Sequence, residues 1–88
     1  MISKMALPNE PVTLTVAQIR ELNQKLADLR HDVNNSLSLV NAAIELIRRR
    51  PESTVRLLES INEQPQKIAG MVAQFSRELE SALQITRP

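Results

Sequence analysis

Apolar residues recur every three or four positions through the first half of the chain: Ile19, Leu22, Leu26, Leu29, Val33, Leu37, Val40, Ile44 and Ile47. Such a pattern lines one face of an amphipathic helix, and about thirty residues of it predict one long helix. Two successive spacings of four around Val33 slip the heptad register there. Thr15-Val16-Ala17-Gln18 fits a capping box, in which the Thr15 hydroxyl and the Gln18 side chain each satisfy a free backbone N–H at the helix start. Arg48, Arg49 and Arg50 suit the other end, where cations oppose the helix dipole. Pro51 lacks a backbone donor and forbids continuation in register.

A short turn, Pro51-Glu52-Ser53, leads to a second helix capped by Ser53 or Thr54. Its stripe is Val55, Leu58, Ile61, Ile68, Val72, Phe75, Leu79 and Leu83. Pro65 falls inside it, at a cost of roughly 3 kcal/mol in a straight helix. The stripe stays in phase on both sides, which predicts a kink and not a break. Two helices joined by a tight turn make an antiparallel hairpin, the first helix being about 50 Å long. Leu39 and Ala43 widen the first stripe, and Met71 and Ala82 extend the second. A broad stripe wants two neighbours. The expected fold is therefore all-α: a two-helix hairpin over residues 13–86 that dimerises into a four-helix bundle, after a flexible arm at 1–12 broken by Pro8 and Pro11. Its stability would depend on protomer concentration.

Composition removes several functions. The net charge of +1 supplies no basic surface for nucleic acid, and Phe75, the only aromatic residue, makes no stacking platform. With no cysteine and one histidine, neither a disulfide framework nor a zinc site is expected. Gly70 is the only glycine, so there is no glycine-rich nucleotide loop and no cofactor is expected on this chain. The first twelve residues lack the apolar run of a signal peptide, and no stretch approaches a membrane span; a cytoplasmic protein with no membrane partner is the expectation.

The single histidine lies mid-helix in His31-Asp32-Val33-Asn34-Asn35. At about 100° per residue His31 and Asn35 point away from the stripe, one turn apart, with Ser38 one turn further. A neutral imidazole nitrogen is a good nucleophile towards phosphorus, and the phosphoramidate formed is labile enough to be passed on. Asp32 is placed to orient the ring or accept its proton. Asn35 is placed to bond a phosphoryl oxygen or position a water. The side chains around His31 are short, so a partner can approach closely. Asn34, Ser38 and Asn41, with Gln74 and Glu78 on the second helix, are the expected docking residues. Met71 and Phe75, which read as core, are expected about level with His31.

Leu29 to Leu37, reading Leu-Arg-His-Asp-Val-Asn-Asn-Ser-Leu, resembles the histidine box of bacterial sensor histidine kinases. The resemblance extends over the hairpin, about residues 15–85, and is to the dimerisation and histidine-phosphotransfer domain. It implies a dimeric four-helix bundle, His31 as phosphoacceptor, Asp32 as acid/base neighbour and Asn35 as a residue that helps dephosphorylate the partner. The partner it implies is a response-regulator receiver domain carrying its own aspartate and magnesium. Two features depart from the family: Ser36 stands where many members carry a helix-bending proline, and an ATP-binding domain is lacking. Self-phosphorylation by this chain alone is therefore not expected, and a separate histidine kinase is a second expected partner. The same features fit three other readings: an excised piece of a full kinase, a non-catalytic adaptor or inhibitor that binds a kinase or receiver through the bundle, and a plain coiled-coil dimeriser that binds no receiver.

Overall fold

The computed structural model describes residues 6–85. Residues 1–5 of the expected arm and the hairpin limit at 86 lie outside the described residues. Helix α1 spans Val16–Arg49, a single 3-10 turn spans Pro51–Ser53, and helix α2 spans Thr54–Ala82. The described residues contain no β-strand. None of their helices is long and apolar enough to cross a membrane.

The helix ends follow from local chemistry. Gln18 N–H donates to Thr15 Oγ1 at 3.1 Å and Thr15 N–H donates to Gln18 Oε1 at 2.8 Å, the reciprocal capping box expected from the sequence. Arg48 and Arg49 occupy the last turn of α1, and Pro51 opens the 3-10 turn. The start of α2 falls at one of the two expected cap positions. Ser53 is the N-cap residue, but its side chain makes no capping bond. Instead the Thr54 hydroxyl donates back to the Pro51 carbonyl. Helix α2 runs through Pro65 without a break.

At the far end of α2 the chain leaves through a Schellman turn. Ile85 N–H bonds the Glu80 carbonyl at 2.9 Å and Gln84 N–H bonds the Ser81 carbonyl at 3.3 Å. The turn needs a left-handed residue, and Gln84 supplies it with φ of 56°. A side chain there costs about 1–2 kcal/mol relative to glycine's freedom.

The helices are antiparallel. Ser36 faces Gln64, and Lys25 faces Glu78, near the open end. The chain measures 59 × 34 × 12 Å, so it is one helix diameter thick. Its radius of gyration is 18.4 Å, against about 12 Å for a compact domain of this length. A slab this thin buries little: among the described residues only Ser36, Ala43, Leu57 and Gln64 are buried.

The face that α1 turns to α2 is not centred on the most apolar part of its stripe. Ser36 and Ala43 are buried, with Leu22, Leu29, Val40 and Ile47 half-buried beside them. Leu26 and Leu37 remain 40% and 49% exposed. At about 100° per residue, Leu26, Leu37 and Ile44 lie some 80–100° round the helix from Ser36. They sit on one flank of the hairpin together with Leu58 and Val72 of α2, which are also exposed. The stripe spans nearly half the helix circumference, and one neighbour covers only part of it.

Candidate functional site

The opposite flank holds a groove of about 630 Å³ between the helices. Helix α1 lines it with Asp28, Asp32, Asn35 and Leu39, and α2 with Lys67, Gly70, Met71, Gln74 and Glu78. Leu29 and Phe75 contribute apolar floor. Asp32 and Asn35 of the histidine motif thus share one surface with Gln74 and Glu78, two of the expected docking residues. Pairing of 36 with 64 and of 25 with 78 sets His31 level with residues 69–72. Met71 is level with His31 as expected. Phe75 is not; it lies a turn beyond, level with residues 25–28, because the pairing is fixed by the short turn after Arg50.

His31 is exposed and stands at the rim of the groove, not in its lining. Its ring is held by Asn35, whose Nδ2 donates to His31 Nε2 at 3.3 Å. With Nε2 accepting, the contact requires the tautomer that carries its proton on Nδ1. The i, i+4 spacing on one helix face makes this contact possible. Asp32 makes no hydrogen bond to the ring: its side chain leaves α1 about 100° away from that of His31, towards the groove. It has no hydrogen-bond or ion-pair partner among the described residues.

Asn34, Ser38 and Asn41 are exposed on the outer side of α1. At about 100° per residue they point away from α2. The expected docking residues therefore fall into two strips. One follows the back of α1, and the other lines the groove. His31 and Asn35, joined by their hydrogen bond, stand on the edge between them. Gln74 and Glu78 are also engaged with each other and with neighbours. Gln74 Nε2 donates to Glu78 Oε1 at 3.1 Å, and Arg77 donates to Gln74 Oε1 at 2.7 Å.

Lys25 ties the open end of the hairpin, at 3.2 Å from Glu21 on its own helix and 3.5 Å from Glu78 across the groove. The hydrogen bond to Glu21, helped by the charge of Glu78, holds its ammonium above the usual lysine range against the opposing effect of burial. No group of three or more His, Asp or Glu side chains among the described residues is arranged to hold a metal ion.

Two residues were not singled out by sequence as part of this site. Ser36 Oγ donates to Gln64 Oε1 at 2.8 Å, and Gln64 Nε2 donates to the Ser60 carbonyl at 3.2 Å. Both are buried at the groove floor, one residue after Asn35 and one before Pro65. The available signal was a polar residue at heptad spacing in each stripe: Leu29, Ser36, Ala43 in α1 and Leu57, Gln64, Met71 in α2.

A scan of protein-family models and searches of curated proteins and of solved structures find no match to this chain.

Proposed function

We propose that this chain is a histidine phosphotransfer module of a two-component relay, passing a phosphoryl group between His31 and the aspartate of a receiver domain. The observation that carries the reading is the edge position of His31. It is exposed, bonded to Asn35, and adjoins a groove lined by the unpaired carboxylate of Asp32. In the step inferred, Asn35 releases Nε2, whose lone pair attacks phosphorus of a receiver aspartyl phosphate. The P–N bond forms as the P–O bond breaks, and the aspartate carboxylate leaves with the electron pair. The Nδ1 proton passes to water, and through water to Asp32, and transfer to the next receiver reverses these changes. Asn35, one turn away, is placed to donate to a phosphoryl oxygen. Positioning and charge neutralisation are what such a transfer needs, and the receiver brings the magnesium.

The working unit in this proposal is a homodimer, acting in the cytoplasm where receivers are found. The chain exposes 7196 Å², whereas a compact monomer of its mass exposes roughly 5,200 Å². The bare apolar flank of Ile19, Leu26, Leu37, Ile44, Leu58 and Val72 accounts for part of that excess. A second hairpin against it completes a four-helix bundle and leaves the His31 edge and the groove open.

The test is transfer from a panel of phosphorylated receiver domains, and from a kinase ATP-binding domain plus ATP, read as acid-labile label on the chain. Wild type is expected to take up label and His31→Gln to take up none. Receiver binding without label, unchanged by His31→Ala, would instead make the chain an adaptor.

A further inference from the structure

We infer that the buried Ser36–Gln64 hydrogen bond is a positioning device: it selects which face of α1 packs on α2, and so sets where the His31 motif stands relative to the groove. The inference concerns the packing of the hairpin and holds whether or not His31 carries a phosphoryl group.

Apolar shape alone leaves the rotation of α1 open. Its apolar residues run from Leu39 and Leu46 on one side of the seam, through Leu29 and Ala43, to Leu26, Leu37 and Ile44 on the other. A seam centred on Leu26, Val33, Leu37 and Ile44 offers larger side chains than the one observed. Reaching it takes a turn of roughly 60–90° about the helix axis. That turn would carry Asp32 and Asn35 away from the groove wall and His31 to the back of α1.

The observed rotation is the one in which the two buried polar side chains meet. Ser36 is 6% exposed and Gln64 5%, and they bond each other at 2.8 Å. Gln64 is itself held by its second bond, to the Ser60 carbonyl. Turning α1 would leave the Gln64 carbonyl oxygen facing apolar side chains without a donor, which is costly for a buried polar group. A buried polar pair of this kind commonly adds little stability over an apolar pair while choosing one packing among several, as single polar core positions do in coiled coils. The short turn at Pro51–Ser53 fixes the register of the helices along their axes. It does not fix their rotation.

The experiment compares amide NMR spectra and melting temperatures of the full chain and three variants. Wild type and Ser36→Thr, which keeps the hydroxyl, are expected to give one set of resonances over residues 22–47 and one Asn35 side-chain pair. The double variant Ser36→Val with Gln64→Leu is expected to melt at the same temperature or higher. Its resonances should double or broaden over that whole stretch, with the Asn35 side-chain signals shifted. Should it fail to fold, Ser36→Ala, which removes one buried oxygen, is expected to show the same doubling. A single sharp set matching wild type outside the substituted turns, Asn35 included, would overturn the inference, because packing alone would then fix the rotation. None of these readouts depends on phosphotransfer, so their failure is distinct from failure of the proposed function.

Discussion

One flank of the hairpin leaves Ile19, Leu26, Leu37, Ile44, Leu58 and Val72 bare. On the other flank Asp28, Asp32, Asn35 and Gln74 alternate with Leu39 and Met71 around a groove. Both flanks are made by the same two helices, and they differ because a 3.6-residue repeat turns successive side chains to different sides. The apolar flank has nothing to hold it in place but another apolar surface. The groove flank mixes polar groups, bonded to one another or open to water, with the exposed side chain of Leu39. Under the proposed function, assembly belongs to the first flank and chemistry to the second.

The comparison breaks most sharply at the apolar flank. Covering half of a leucine or isoleucine is worth about 1 kcal/mol, so the five such residues and Val72 would dominate the association energy of the proposed dimer. Leu37→Asp combined with Ile44→Asp should weaken dimerisation by at least about 100-fold, or about 2.7 kcal/mol, read by sedimentation. Melting at micromolar concentration should collapse with it. On the other flank, His31→Gln should abolish acid-labile labelling while leaving folding stability within about 0.5 kcal/mol, because an exposed helix position away from the seam contributes little.

Smaller effects sharpen the picture of α2. Gly70 sits mid-helix at the groove wall, and a methyl group added there meets nothing within 4 Å. Gly70→Ala should therefore stabilise the fold by about 0.5–1 kcal/mol in denaturant titrations. Gln84→Gly should also stabilise, because the left-handed turn at the end of α2 suits glycine. The smallest effect belongs to Lys25. Its ammonium is held above the usual lysine range by Glu21 and Glu78, so its contribution is present at neutral pH. It is lost as pH rises past about 10.4 and through the folded-state value. Wild type should lose slightly more stability than Lys25→Met between about pH 9 and pH 11, measured by chemical unfolding.

Helix limits were legible because they rest on local chemistry: the Thr15–Gln18 capping box and Pro51 act through the residues next to them. The stripe on both sides of Pro65 was legible for the same reason, since phase is a property of one segment. The face that α1 turns to α2 was not. Leu26 and Leu37 read as seam residues, yet Ser36 and Ala43 occupy it. A stripe nearly half the circumference wide has no unique centre, and the choice depends on Gln64, twenty-eight residues away. The site was legible as a motif and not as a surface. His31 and Asn35 meet as their spacing requires, whereas the separation of Asn34, Ser38 and Asn41 from Gln74 and Glu78 depends on that same rotation.

The division of labour between the flanks has a direct test, made clean by the absence of cysteine from the chain. Single substitutions Leu37→Cys on the apolar flank and Gln74→Cys at the groove can be followed by reaction with a thiol reagent across a range of protein concentrations. The account predicts that Leu37→Cys becomes protected as concentration rises and the dimer forms, while Gln74→Cys reacts equally fast throughout. Protection of Gln74→Cys with Leu37→Cys left reactive would contradict it, by placing the second copy over the groove that His31 needs open.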